Sequence, residues 1–257
     1  MRSLTPSLRL SRRLLPALFV LALPAFASAQ QITVSAAASL TDAFKELAPK
    51  FEASKPGATV RFNFAASGVL LQQITQGAPV DVFASADQET MNRGADQKLI
   101  DTDTRKNFVT NTLVLIEPAK DGVNLKSLQD LTGASVRRIA VGKVATVPVG
   151  RYTKQALDAA KLWTVLEPKF VQADSVRQVL DYVSRGEAEA GFVYRTDAAV
   201  MADKVKIVLS PGGHTPVSYP VAVVADSKQK AVAKDFVSFL GTDAAREVLT
   251  KYGFGKP

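Results

Sequence analysis

The sequence predicts an α/β fold of two lobes, each a mostly parallel sheet flanked by helices. Three observations carry this. Short apolar runs alternate with amphipathic helical stretches along the chain, the pattern of a sheet covered on both faces. The chain has 257 residues, and single hydrophobic cores stop growing near ~250 residues and usually sooner. The alternation also pauses twice, around Thr110 to Thr112 and around Val217 to Pro220, where crossings between lobes are expected. The first lobe is then discontinuous, residues 30–110 and 218–257, and residues 111–217 form the second.

The N-terminus is expected to be a cleaved leader over residues 1–29. Arg2, Arg9, Arg12 and Arg13 precede an apolar run from Leu14 to Phe26, and Ala27-Ser28-Ala29 supplies a small-residue cleavage signal before Gln30. Pro16 and Pro24 interrupt the run, which is too short and broken to span a bilayer. Losing this segment takes the formal net charge from +8 to +4. No dense Lys/Arg block interleaved with aromatics remains, which sets nucleic-acid binding aside. There is no cysteine, so the core holds the fold without disulfides and a lipid anchor has no thiol to use. An exported, soluble, unanchored chain of this kind is expected in the periplasm of a double-membraned bacterium.

In order, Ile32 to Ala37 reads as a buried strand running through small residues into a helix with Leu40, Ala43, Phe44, Leu47 and Phe51 on one face. Ser39 and Asp42 have the spacing of a capping box. Thr59 to Phe64 alternates like a strand, and Ala65-Ala66-Ser67-Gly68 leads into a second helix that Gly77-Ala78-Pro79 ends. Val80 to Ala84 is a short buried strand before a helix through Met91. Strands follow at Thr112–Ile116 and Arg138–Gly142, then a helix after Val147-Pro148-Val149-Gly150, with Trp163 and Leu166 packing behind it. Asp174-Ser175 open another helix, Ala190 to Tyr194 is a strand, and two more strands cover 205–209 and 219–224. The C-terminal stretch from Lys228 to Tyr252 is helical, interrupted at Gly241 to Asp243.

Enzyme signatures are sparse. The single histidine, His214, falls in a Gly/Pro loop, and with no cysteine a transition-metal site is poorly supplied. Neither a G-x-S-x-G elbow nor a phosphate-binding P-loop occurs. Asp81 and Asp87 flank a buried strand and are expected to satisfy local backbone groups, and Glu187 and Glu189 to form a solvated turn. The chain offers instead a series of helix starts with hydroxyl or small residues, at Ser39, Ser67, Val149-Gly150 and Val176, together with Tyr194 at a strand end. Helix starts leave N–H groups free and carry the positive end of the helix dipole, a ready place for an anion. If the lobes face each other these starts converge on a cleft, and all of the donors in it are neutral.

Ala36-Ala37-Ala38-Ser39-Leu40-Thr41, Phe64-Ala65-Ala66-Ser67 with Gly77 through Gln88, Val147 through Tyr152, Asp174-Ser175-Val176-Arg177, Val193-Tyr194, Tyr219 through Val223 and Tyr252-Gly253-Phe254 occur in the order seen in the periplasmic molybdate-binding proteins, and the chain resembles that family over its whole exported length. The resemblance implies a type II periplasmic binding protein with a ligand cleft between its lobes. Such a protein closes on a tetrahedral oxyanion, molybdate or tungstate, and hands it to the permease and ATPase of an ABC importer. It implies that Ser39 and Ser67 donate hydroxyl and backbone N–H groups, that Val149 and Val176 donate backbone N–H groups, and that Tyr194 donates its hydroxyl, with Ala38 adding a main-chain contact. Valine at 149 stands where the family commonly has alanine; a main-chain contact survives that change. The metal is expected inside the oxyanion only, with no protein ligand, no cofactor and a monomeric chain. Sulfate or phosphate carriage on the same fold is the nearer alternative, and a secreted hydrolase using Ser39 or Ser67 as nucleophile the remoter one.

Overall fold

The computed structural model describes residues 30–257; the expected leader lies outside the described residues. Strand β1 (Gln30–Ala37) pairs in step with the parallel β2 (Ala58–Ala65) across helix α1 (Thr41–Ser54). Helix α2 (Ser67–Thr75) leads to β3 (Val82–Ala84) on the other side of β1, and α3 (Gln88–Asp96) leads to β4 (Ile100–Thr110). The chain then crosses into a second sheet with β5 (Leu113–Pro118), β6 (Ile139–Gly142), α4 (Pro148–Ala159), α5 (Trp163–Leu166), β7 (Phe170–Ala173), α6 (Val176–Ser184), β8 (Ala190–Tyr194), α7 (Arg195–Val200) and β9 (Val205–Leu209). It returns through β10 (Ser218–Val224) and closes with α8 (Lys230–Phe239) and α9 (Asp243–Lys251).

The first sheet has the order β2-β1-β3-β10-β4 and the second β7-β6-β8-β5-β9. In each, one strand runs against the other four: β10 in the first, β5 in the second. The two α/β lobes therefore share one plan, with the reversed strand at the crossing between them. Parallel strands joined by helices put the starts of those helices at one end of the sheet, and in both lobes that end faces the partner lobe.

The first lobe is held by an aromatic cluster. Phe44 and Phe51 of α1 meet Phe236 of α8 edge-on at 6.0 and 5.1 Å, and Phe44 also meets Phe62 of β2 and Phe108 of β4 at 5.9 Å each. Such edge contacts add about 0.5–1.5 kcal/mol each beyond area burial. The apolar stripe expected on α1 is thus the face that packs.

Several elements differ from expectation. Strand β4 is long yet polar, because only β10 pairs with it and much of its length faces solvent; an edge strand needs no apolar alternation. Strand β7 is likewise a short edge strand, and α7 spans only six residues, so neither leaves a periodic signal. The capping box at Ser39 and Asp42 does not form. Ala38–Leu40 is a 3-10 turn ahead of α1, and neither has a side-chain cap. Glu189 is not a solvated turn residue: its carboxylate accepts from the N–H groups of Arg137 and Arg138 at 3.0 and 2.6 Å, which holds it below the usual glutamate range despite the opposing effect of burial.

Candidate functional site

All six positions expected to hold the ligand, Ala38, Ser39, Ser67, Val149, Val176 and Tyr194, line one small cavity between the lobes. Ala37, Ala66, Ala86, Val147 and Pro148 complete its wall, and its cavity volume is small, about 10 Å³. Small side chains let backbone come close; no Lys or Arg, and no carboxylate, lines it.

Each helix start presents its N–H for a local reason. In α4, Pro148 has no N–H, and the Gly150 N–H turns inward to Val147 O at 2.9 Å, which leaves Val149 as the first outward donor. In α6 the Ser175 hydroxyl caps the helix by accepting from Gln178 N at 3.2 Å, and the N–H of cavity-lining Val176, the first helical residue, has no acceptor within the helix. Ser67 opens α2 as its first residue, and Ser39 sits in the 3-10 turn before α1. Neither N–H has an acceptor within its own helix.

The hydroxyls are arranged in three ways. Ser67 Oγ accepts from the Ala86 N–H at 3.0 Å, which leaves its own hydrogen to donate. Ser39 Oγ lies 2.9 Å from Tyr219 Oη. Tyr194 Oη is buried and, among the described residues, has no hydrogen-bond partner. Buried hydroxyls are normally satisfied, and this one lines the same cavity as the helix starts. Burial, aided by nearby Tyr219, Tyr152, Asp87 and Asp197, pushes the Tyr194 phenol well above its usual pKa of 10.0; it stays a neutral donor.

Two arginines stand just outside, and both close the lobes on each other. Arg151 of α4 donates to Asp87 Oδ2 of the first lobe at 2.8 Å from Nε and 2.5 Å from Nη2, to Thr90 Oγ1 at 2.7 Å, and to Val144 O and Ala145 O. Arg177 of α6 reaches Asp42 of the first lobe at 2.8 Å and Asp197 of its own lobe at 2.6 Å. Burial works against the Arg177 charge, but Asp197 and Asp42 outweigh it and shift its pKa upward. Between the two, the Gly68 N–H donates to Thr146 O at 2.9 Å, backbone to backbone across the cleft. A Cβ on Gly68 would stand 2.6 Å from that oxygen, so glycine is what allows the approach.

Asp87 does satisfy its own helix, accepting from Thr90 N at 3.1 Å as the cap of α3, and Asp81 accepts from Thr33 N at 2.8 Å. The interlobe partners of Asp87 and Asp42, and the roles of Tyr219 and Asn111, were not visible in the sequence. They pair residues 64 to 180 positions apart in the chain, and no local spacing encodes that. His214 stays in its loop, its ring nitrogens beside Thr215 O and Pro211 O. A broader open groove lined by Lys120, Arg137 and Lys204 lies at the far end of β8 from Tyr194 and gathers no such set of helix starts.

A two-lobed α/β protein that closes a small cavity lined by neutral donors is built to capture a solute. The chain belongs to the bacterial extracellular solute-binding protein family, whose profile matches residues 32–255. It is 40% identical to the molybdate-binding protein ModA of Escherichia coli strain K12, over 92% of this chain and 93% of that one. It is 37% identical to the ModA of Haemophilus influenzae, over 89% and 91%. Among solved structures, the periplasmic molybdate-binding protein of Azotobacter vinelandii superposes with a TM-score of 0.74 at 25% identity, over 88% of this chain and 99% of that one.

Proposed function

We propose that this chain is a periplasmic carrier that binds molybdate, and tungstate with it, in the interlobe cavity and delivers it to the permease and ATPase of an ABC importer. The observation that carries the reading is the donor set itself: the N–H groups of Ser39, Ser67, Val149 and Val176 and the hydroxyls of Ser39, Ser67 and Tyr194, with Ala38 alongside, and no acceptor among the lining side chains once the serines are counted as donors. The relatives named above support the choice of ion. A fully ionised dianion can accept from every one of these groups. Hydrogen phosphate cannot, because its own hydroxyl would be stranded at about 1–3 kcal/mol. Sulfate meets the charge requirement and is separated by size alone.

Charge-assisted hydrogen bonds contribute about 1.5–3 kcal/mol each. Seven of them, against association costs of about 4–15 kcal/mol, are compatible with nanomolar affinity, about −12 kcal/mol. In this reading residues 30–110 with 218–257 form one lobe and 111–217 the other, a cleavable leader exports the chain, no lipid holds it, and it works as a monomer. It is a binder and not a hydrolase: Ser39 and Ser67 face Tyr219 and the Ala86 N–H, with no histidine as base. Calorimetric titration of residues 30–257 with molybdate, tungstate, sulfate and phosphate tests the proposal. Molybdate and tungstate should bind at least tenfold tighter than the others; sulfate binding tighter than molybdate overturns it.

A further inference from the structure

The bond between Ser39 and Tyr219 has a direction, set from the crossings between the lobes. Asn111 lies between β4 and β5, in the first crossing, and its Oδ1 accepts from Thr112 N at 2.9 Å. That fixes the amide and leaves Nδ2 as its donor. Nδ2 donates to Thr196 Oγ1 at 2.9 Å and to Tyr219 Oη at 3.2 Å. Tyr219 is the second residue of β10, in the return crossing, and is fully buried. The Asn111 N–H also donates to Val217 O at 3.1 Å, tying the two crossings together. A phenol has one hydrogen to give. With Asn111 donating to it, Tyr219 gives that hydrogen to Ser39 Oγ at 2.9 Å. Ser39 is the acceptor in that bond, so its own hydrogen is released toward the cavity it lines.

We propose that Tyr219, oriented by Asn111, is a positioning residue that holds the Ser39 hydroxyl as a donor to the bound anion and makes that polarity depend on the seating of the two crossings. The proposal rests on the reading of Ser39 as an anion ligand. Chains of hydrogen bonds polarise one another, so each link strengthens the next toward the anion. The same chain keeps an acceptor from facing the cavity, and so works against protonated oxyanions.

The test is a set of mutant cycles read by calorimetry with sodium molybdate, using Tyr219→Phe and Asn111→Asp, each with and without Ser39→Ala, and with a thermal melt of every variant. Asn111→Asp reverses the chain: the new carboxylate takes the Tyr219 hydrogen, Tyr219 takes the Ser39 hydrogen, and the anion loses a donor. Affinity should fall about 10- to 100-fold in Asn111→Asp and about 3- to 10-fold in Tyr219→Phe, fractions or more of one charge-assisted bond. In the Ser39→Ala background the loss from Tyr219→Phe should shrink to under about 2-fold, and that from Asn111→Asp to the effect of the added charge alone. Losses that are the same within about 2-fold in both backgrounds, in either variant that melts like the wild type, overturn the relay. A wild-type protein that ignores molybdate overturns the reading of the site instead, so the two failures are distinct.

Discussion

Replacing Tyr194 by phenylalanine should move stability and affinity in opposite directions. The ring is buried among Tyr152 and Tyr219, with centroids 6.4 and 5.9 Å away, and phenylalanine keeps that packing. Only the hydroxyl goes, and it has no partner among the described residues. An unsatisfied buried hydroxyl costs about 1–3 kcal/mol, so the empty variant should be as stable as the wild type or more so. At about 2–4 °C per kcal/mol for a chain of this size, its melting temperature should stay level or rise by a few degrees. The anion, however, loses a charge-assisted bond of about 1.5–3 kcal/mol, a 10- to 150-fold rise in Kd. With molybdate in excess the order then inverts, since ligand stabilises each protein by RT ln(1 + [L]/Kd), a larger gain for the tighter binder. Melts with and without molybdate, beside a calorimetric Kd, check this. A lowered melting temperature with unchanged affinity would refute it and make Tyr194 an ordinary core tyrosine.

Ser67→Ala should weaken molybdate binding by about 1–3 kcal/mol and also strand the Ala86 N–H; calorimetry and a melt separate the two effects. Gly68→Ala should leave each lobe folded but block closure, because the new Cβ meets Thr146 O at 2.6 Å; small-angle scattering should show no contraction on adding molybdate, and affinity should drop at least tenfold. Asp87→Asn leaves the buried Arg151 with only the exposed Glu89, at 3.5 Å, as counter-charge, a loss of up to about 3–5 kcal/mol, and since the Arg151–Asp87 pair joins the two lobes the loss should appear as faster molybdate dissociation in stopped-flow. Affinity should be flat from pH 7 to pH 10: burial holds the Tyr194 phenol above its ordinary range, so the neutral donor persists as pH rises, whereas a lysine-based site would weaken as its ammonium titrates near 10.4.

Much of this was legible in the sequence because it is local. The run from Ile32 to Phe51 shows its strand, its small-residue loop and its apolar helix face, and Pro148 before Val149 marks a helix start in one reading of the letters. Ser39 does line the cavity, but its expected local role fails: a serine three residues before an acid looks like a cap, but a 3-10 turn intervenes and the hydroxyl turns to Tyr219. Asp42, the other half of that motif, reaches Arg177 in the opposite lobe. Edge strand β4 escaped notice because its pairing is one-sided and its exposed residues are free to be polar. What stayed hidden is the closure itself. Arg151 with Asp87, Gly68 with Thr146 and Tyr219 with Ser39 depend on how two lobes meet, and no periodicity records that.

The two arginines beside the cavity carry a consequence for how fast an anion arrives. Each is already matched to carboxylates, Arg151 to Asp87 with Glu89 at 3.5 Å, and Arg177 to Asp42 and Asp197. Their fields are spent on the lobes. In the proposed site what remains for the ligand is a ring of N–H and O–H dipoles, and the pull of a helix start fades within about one turn. Such a ring grips at contact and has little reach into solution. Long-range steering needs uncompensated charge, and it is steering that salt screens over a Debye length of about 8–10 Å. The cavity itself should therefore add little to the capture rate, and dependence on ionic strength should come from the net charge of +4 that residues 30–257 carry, while nearly all of the selectivity is expressed in how slowly the right ion leaves.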